Sequence, residues 1–380
     1  MQEPHRGWSE GDRSNGPPTV AAVSARWAIV LISAAAVVLT SLVVKVLPAA
    51  RSDISAVELA KRVQASAPVA WSGFVETAGT LDVPDSDSFA NLAQLLGETN
   101  RMRVWWRAAD DWRVDRIRST GENDLFRNGN VSIRWVFESE TATIAPVSKV
   151  RLPDSADLLP PTLGRSMVQG ARDDELSRLP SRRVAGVDAV GLLLVPDQTS
   201  TTIGHVDIWA DPHSGLPLEV ELYGVDDRRA VLSTTLRELD IGVPPAEITK
   251  FSRPPGVQVT YDQSVDAAAA ANAFAPGDLP GSLAGLNSRD GEDPSAVGIY
   301  GRGPTTLIAL PLRRDVARPL RERLRDSGAG QETEVGTVTS VGPVGLLVTS
   351  YRRDGSRFLL AGTVTADTLR LAATDLLGRP

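Results

Sequence analysis

The sequence predicts an α+β protein with an N-terminal transmembrane helix, a curved antiparallel half-barrel with a helical lid, and a small α+β domain at the C-terminus. Three observations support this fold class. An uncharged apolar stretch comes first, about nine strand patterns at hairpin spacing follow, and a mixed strand and helix pattern closes the chain. The predicted parts are a disordered cytoplasmic tail at 1–26, a transmembrane helix at 27–49, the half-barrel at 53–262, a linker at 263–294 and the small domain at 295–380.

The membrane helix is predicted from residues 27–44, which contain no charge, Pro or Gly. As a helix this stretch is about 27 Å long, close to the thickness of a hydrocarbon core. A cleaved signal peptide is the alternative, but its apolar region is usually shorter and ends in a small-residue site, which residues 45–50 lack. We therefore expect a single-pass anchor in the cell membrane, with the N-terminus in the cytoplasm and the bulk of the chain outside.

The half-barrel begins with a helix and then changes to the period of a strand. Ser55 and Glu58 form a capping box for a helix at 53–66, which a strand at 69–81 and a short apolar helix at 86–97 follow. The remaining predicted strands are 101–108, 112–119, 125–127, 131–138, 183–196, 203–210, 216–223 and 230–241. Because they are mostly joined by short turns with few helices between them, they favour an antiparallel curved sheet or an open barrel.

Residues 152–170 interrupt the strand pattern. They are too apolar for a solvated loop, and Pro160 and Pro161 prevent a long helix. The segment is therefore predicted to be a short helical flap over the sheet.

The C-terminal part is predicted as a compact mixed domain. Its strands are expected at 305–312, 334–341, 345–352 and 357–362, with a helix at 315–327. The last helix, at 366–377, has Thr365 as its N-cap and ends at Gly378.

Composition excludes several classes of function. The net charge of -7 disfavours a nucleic-acid partner, which normally requires a basic face. The chain has no Cys, which rules out disulfides, thiolate metal sites and a Cys nucleophile. We found no paired nucleophile and base, so no catalytic residue, enzyme activity or cofactor is predicted, and a hydrolase is the least favoured reading. A metal site from His205 and His213 with Asp207 or Asp211 has no recognised ligand spacing.

Apolar side chains on a curved sheet suggest a different function. A half-open barrel closed by the flap would enclose a dry cavity, which an acyl chain can fill without any catalytic group. A filled core is the alternative for each of these residues. The predicted cavity residues are Trp71, Phe74, Met102, Val104, Trp106, Ile133, Trp135 and Phe137 from the strands, and Leu158, Leu159, Leu163 and Met167 from the flap.

Three short segments carry a family resemblance. They are WSGFVET at 71–77, VDIWADPHSGLPLEVEL at 206–222 and ITKFSRPPGVQV at 248–259. In this arrangement the chain resembles the LolA, LppX and RseB/MucB group of extracytoplasmic proteins over about residues 53–262. The positions that match the motifs are Trp209, Asp211, Pro212, Gly215, Leu216, Pro217, Pro254, Pro255 and Gly256.

The resemblance implies a half-barrel whose lid covers lipid or lipoprotein acyl chains. Residues 357–377 are similar to the end of RseB-like chains, and this branch implies a sensor of lipoprotein that restrains an anti-sigma factor. The competing hypothesis is a protein-binding subunit of an envelope complex that has no lipid ligand and makes its contact through residues 295–380.

Overall fold

A computed structural model describes most of the chain beyond the predicted anchor. The described residues are 52–81, 90–119, 121–147, 151, 153–261, 279–289, 297–326, 330–351 and 357–378, and all of them belong to one compact unit, Ala49–Pro380. The predicted tail and membrane helix lie outside these residues. Among the helices that are described, none has the length and apolar character needed to cross a membrane.

A large twisted sheet of twelve strands forms most of this unit. Its strands are β1 Trp71–Gly79, β2 Thr99–Ala108, β3 Asp111–Arg118, β4 Gly121–Asn128, β5 Val131–Val136, β6 Thr141–Pro146, β7 Leu176–Val184, β8 Val187–Leu194, β9 Ile203–Ala210, β10 Pro217–Gly224, β11 Leu232–Ile241 and β12 Gln258–Tyr261. They lie in the order β12-β6-β5-β4-β3-β2-β1-β11-β10-β9-β8-β7. The predicted antiparallel sheet with few helices is confirmed, except that the edge strand β12 pairs with β6 in parallel.

The sheet has more strands than the sequence predicts. The predicted strand at 183–196 covers β8 and the last two residues of β7; the two strands form a hairpin whose turn places Ala185 and Gly186 at φ values of 49° and 81°. Strand β7 escaped prediction because it contains Pro180 and several arginines, a composition that is tolerated at a sheet edge.

Among the described residues, four α-helices accompany the large sheet. They are α1 Ala56–Ala65, α2 Ala90–Gly97, α3 Pro160–Val168 and α4 Ala246–Thr249. The predicted cap of α1 is confirmed, because the Ser55 hydroxyl accepts a hydrogen bond from the backbone N–H of Glu58 at 3.1 Å. Helix α1 buries Leu59 and Val63 completely, so its apolar stripe faces the core.

A second sheet has six strands in the order β15-β16-β20-β19-β18-β17. Its elements are β15 Gly298–Arg302, β16 Thr305–Leu312, helix α5 Arg314–Asp326, β17 Gln331–Thr333, β18 Gly336–Val341, β19 Val344–Thr349, β20 Arg357–Gly362 and helix α6 Ala366–Leu377. Thr365 caps α6 as predicted, by accepting from the backbone N–H of Thr368. Part of the predicted linker is also structured: the hairpin of β13 Ser282–Leu283 and β14 Leu286–Asn287 buries both of its leucines.

Hydrogen bonds join the two sheets. The backbone N–H of Thr202 donates to the carbonyl of Thr363 at 3.1 Å, and that of Thr365 donates to Ser200 at 2.9 Å. Val341 and Val344, at the turn between β18 and β19, pack against the apolar cluster below the flap. The small sheet therefore helps to close one end of that cluster.

Candidate functional site

The face of the large sheet that the flap covers is here called the inner face. Residues directly opposite in an antiparallel pair point to the same side, and Trp71 lies opposite Trp106 and Val75 opposite Met102. Val104 lies opposite Val114 on the next strand. Strands β1 to β3 thus present one continuous apolar surface on this face.

The inner-face side chains are almost completely buried. Exposed fractions are 1% for Trp71, 0% for Met102, 1% for Val104 and 7% for Trp106. The Trp106 ring stacks on Trp112, with the ring centroids 5.5 Å apart. These residues form one cluster with Leu159, Leu216, Leu218 and Leu236.

The flap consists of residues 153–170, with helix α3 at its centre. Pro160 and Pro161 occupy the first helical turn, where a missing backbone donor is harmless. Leu159 is fully buried against the inner-face cluster. Leu158, Leu163 and Met167 pack against a neighbouring cluster that includes Leu192, Ile208 and Val220. The flap therefore lies directly on the sheet.

A close approach brings α3 onto strand β10. A Cβ atom at Gly164 would lie 2.8 Å from side-chain atoms of Pro217 and 3.4 Å from a methyl of Val220. Only a residue without a side chain fits there, which explains a glycine inside a short helix.

Phe74, Ile133, Trp135 and Phe137 are not on the inner face, and their assignment to the cavity is wrong. Phe74 is an odd number of residues from Trp71 and so points to the opposite, outer face. Register places Trp135 in an outer-face row with Phe74, Arg103, Asp115 and Asp124. Ile133 pairs with Phe126 on the same outer face. Phe137 follows the end of β5 and is 64% exposed.

The outer face has a small core of its own. Trp135, Phe126 and Val257 are buried together, with Phe251 packed against them. The ring centroids of Phe126 and Phe251 lie 5.4 Å apart in an edge-to-face arrangement. The apolar side of β5 is covered by the segment after β11 and not by the flap.

A charged cluster lies beside this outer core. Arg113 donates to Asp115 at 2.5 Å and to Asp124 at 2.9 Å. Carboxylate oxygens of Asp115, Glu122 and Asp124 lie within 4.8 Å of one another. Because the Arg113 guanidinium already bonds to two of these groups, we interpret the cluster as an ion-pair network and not as a metal centre.

This network predicts a pH-dependent stability. Burial, followed by the charge of Asp115, raises the pKa of Asp124 to about 7. The folded state then holds a proton that the unfolded state loses above about pH 4, so this contribution to stability falls as pH rises from about 4 to 7.

Asp124→Asn should remove the part of this dependence that comes from Asp124. We expect the variant to exceed the wild type by about 4 kcal/mol in free energy of unfolding at pH 8 and to match it near pH 4. Urea denaturation at several pH values measures the difference, and Asp226→Asn at an exposed site is the control. An equal gap at both pH values would contradict the prediction.

The two histidines in the described part of the chain, His205 and His213, do not come together. His205 is near the start of β9, where it stacks on Tyr223 with ring centroids 4.2 Å apart, and His213 follows the other end of that strand. His205 lies 4.0 Å from Asp207. Since β9 separates the two rings, the structure does not assemble the metal site that the sequence left open.

A small cavity of about 90 Å³ lies at the margin of the inner face. The row of Met102 continues through Arg116, Asn123 and Val136, and the row of Val104 continues through Val114, Leu125 and Arg134. The cavity is lined by Leu95, Arg116, Asn123, Asp124, Leu125, Arg134, Val136, Pro153, Asp154 and Ser155. Sequence analysis did not select Arg116, although it follows Val114 at the same strand period.

The small sheet contacts the end of the flap through one ion pair. Both amino groups of Arg302 donate to the carboxylate of Glu175, at 2.5 and 2.6 Å. Arg302 also donates to the carbonyl of Gly170, the last residue of the flap, at 3.1 Å. The Glu175 side chain is 0% exposed, so this bidentate pair is shielded on the Glu175 side.

No protein-family model matches the chain, and no curated protein matches it. Among solved structures, the chain is similar to MucB in the MucA/MucB complex of Pseudomonas aeruginosa, with 15% identity over 84% of this chain and 96% of that chain and a TM-score of 0.47. A crystal structure of MucB with MucA(peri) gives 16% identity over 84% and 97%, with a TM-score of 0.46.

A LolA superfamily protein from Nitrosomonas europaea is similar over a shorter part of the chain. The identity is 11% over 52% of this chain and 98% of that chain, with a TM-score of 0.24. The solved structures that the chain matches therefore include MucB and a LolA superfamily protein, the group that the sequence motifs resemble.

Proposed function

We propose that the inner face and the flap form a binding site for the acyl chain of a lipid or of a lipid-modified protein. In this proposal residues 27–49 anchor the chain in the cell membrane and the described unit lies outside the cytoplasm. The observation that carries the proposal is the flap: Leu159 is fully buried, yet it belongs to a separate layer that packs on the sheet through apolar side chains. Moving such a layer exposes a continuous apolar surface without breaking the strand pairing.

Unpaired hydroxyl groups between the layers support the proposal. The hydroxyls of Thr77, Thr162 and Thr234 are buried without a hydrogen-bond partner among the described residues. Thr77 and Thr234 face each other in register on β1 and β11. Each such group costs about 1–3 kcal/mol in a dry core. The ester oxygens at the head of an acyl chain are acceptors that would satisfy these groups.

The physiological role that we propose is that of an envelope sensor or regulator. An anchored chain cannot carry a lipid between membranes, so occupancy of the site would act on a neighbouring protein. The sequence resemblance implies an anti-sigma factor or another envelope membrane protein as this partner. The small sheet contacts the flap through Arg302, and we propose that this contact lets a partner bound to the small sheet respond when the flap moves.

A direct test uses a photoreactive fatty acid and the full chain in phosphatidylcholine nanodiscs. Crosslinked peptides identified by mass spectrometry should include β2 and the flap, and excess fatty acid should compete. We expect Leu159→Asp to reduce these crosslinks at least tenfold, because a buried charge displaces the flap. Phe137→Asp makes the same chemical change at an exposed site and should leave them unchanged.

The crosslinking experiment also separates the lipid-binding proposal from the second candidate, a protein-binding subunit without a lipid ligand. The complete burial of Met102 and Leu159 favours that candidate, since a permanently filled interior needs no ligand. Absence of competed crosslinks on β2 and the flap in the wild type would refute the lipid site. Thermal unfolding of both variants shows whether any loss reflects global unfolding.

A further inference from the structure

We propose that a cleft beside the start of α1 is the entrance through which an acyl chain passes from the bilayer to the inner face. The cleft has a volume of about 850 Å³. It lies between the segment from Ser52 to Arg62, which includes the first turns of α1, and the ends of two hairpins at Val187 and Pro212. This inference rests on the proposed function. It adds the source of the ligand, which is an amphiphile of the membrane that holds the anchor.

The first observation is the place of the cleft in the chain. Ser52, Asp53 and Ile54 line it, and only residues 50 and 51 separate Ser52 from residue 49, where the proposed anchor ends. Three residues span at most about 11 Å. In the proposed topology the cleft therefore opens close to the bilayer surface.

The second observation is that two walls of the cleft belong to the apolar interior. Ile54 packs against the cluster that contains Leu158 and Leu163 of the flap. Val187, on the other wall, packs against the cluster that contains Met102 of the inner face. The cleft therefore borders both apolar clusters that the flap covers, and a chain lying between its walls would contact each of them.

The third observation is that most of the charged groups in the cleft are engaged by their neighbours. Glu58 accepts a hydrogen bond from Arg62 at 3.0 Å, and Asp188 lies 2.7 Å from Arg183. Asp211 accepts two backbone hydrogen bonds within its own turn. These interactions hold the charged groups in place, so the apolar walls are left as the path for the tail of an amphiphile.

A passage beside the bilayer has a physical advantage over a path through water. Leaving the bilayer through water exposes every methylene group of the chain, at a cost that grows with chain length. An entrance with apolar walls next to the membrane avoids most of this exposure. The volume of the cleft also falls within the range of ligand pockets, about 300–1,000 Å³, so a chain has room to pass.

The experiment obstructs the cleft and measures the rate of entry. The chain has no native Cys, so Asp53→Cys, at an exposed position of the cleft, can be labelled selectively with a bulky maleimide. The labelled and unlabelled full-length variants are placed in nanodiscs, and the photoreactive fatty acid is delivered from phosphatidylcholine vesicles. Flashes of light at increasing times then give the rate at which crosslinks to β2 and the flap appear.

We expect the label on Asp53→Cys to slow this rate at least about tenfold and to leave the final extent of crosslinking unchanged, because it obstructs the entrance and not the inner face. Asp226→Cys is the matched control. It makes the same substitution at an exposed position after β10, and the length of β10 separates it from Pro212. Its label should leave the rate unchanged.

The outcomes separate the entrance from the site that it serves. An unchanged rate with the label on Asp53→Cys, or an equal slowing by the label on Asp226→Cys, would overturn the entrance and leave the acyl-chain site standing. Absence of competed crosslinks in the unlabelled protein would overturn both.

Discussion

Arg302→Ala is expected to lower the free energy of unfolding by about 3 kcal/mol, because it leaves the buried Glu175 carboxylate without its cationic partner. Glu175 is 3% exposed and also accepts hydrogen bonds from the backbone N–H groups of Arg172 and Asp197, both at 2.8 Å. These donors remain in the variant, but they do not neutralise the charge. Urea denaturation monitored by circular dichroism measures the loss.

A double-mutant cycle tests the cause. Glu175→Gln in the Arg302→Ala background should recover part of the loss, since it removes the unpaired charge. Arg318→Ala is the control, because its bond to Glu322 is exposed and such pairs contribute less than about 1 kcal/mol. A loss for Arg302→Ala no larger than that for Arg318→Ala would contradict the interpretation.

The same pair predicts a loss of stability in acid. Burial acts to raise the pKa of Glu175, but the Arg302 bond and two backbone donors outweigh it and lower the pKa to about 2. Because the folded pKa lies below the ordinary value of 4.5, the stabilisation is complete above that value and is lost as pH falls towards 2. Arg302→Ala should therefore show a shallower decline over this range.

The second large effect is expected at Gly215, in the turn between β9 and β10. Gly215 has a φ of +72°, and an added Cβ would lie 2.2 Å from the carbonyl oxygen of Arg62 in α1. Gly215→Ala should combine a left-handed backbone penalty of about 1–2 kcal/mol with a collision of similar size. We expect a total loss of about 3 kcal/mol, measured by chemical denaturation.

Gly256 provides a matched control for this collision. Its φ is +85°, but nothing lies within 4 Å of an added Cβ. Gly256→Ala should therefore show the backbone penalty alone, about 1 kcal/mol. Equal losses at the two glycines would show that contact with α1 contributes nothing.

The structure explains why the turn before Gly215 has its sequence. Asp211 accepts hydrogen bonds from the backbone N–H groups of His213 and Ser214, both at 3.1 Å. Arg62 donates to the carbonyl of Pro212 at 2.6 Å. The motif residues of this turn thus fix the hairpin and dock α1 against it, which is a structural role.

Local interactions made several elements predictable. The caps at Ser55 and Thr365 act over three residues, and the alternation in β2 and β5 reflects the period of a strand. The flap could also be recognised, because an apolar segment broken by two prolines fits neither a strand nor a loop. Such signals lie within one turn or one strand, so the neighbouring sequence contains them entirely.

The sequence alone could not show which side of each strand faces the flap. Alternation shows that β5 has two sides, but only its register with β4 shows that Trp135 shares a side with Asp124 and not with Leu125. A shift of one residue in that pairing would exchange the two sides. For this reason the predicted cavity set combined residues from opposite faces of one sheet.

The sequence by itself determined the apolar flap, the sheet-rich class and the capped helices, because each depends on contacts between near neighbours. The tertiary structure alone decided that Arg116 and Arg134 line one cavity and that Arg302 binds Glu175, a residue 127 positions away. These arrangements depend on strand order and on the docking of the two sheets. Charged residues carry no periodic signal that would reveal such long-range partners.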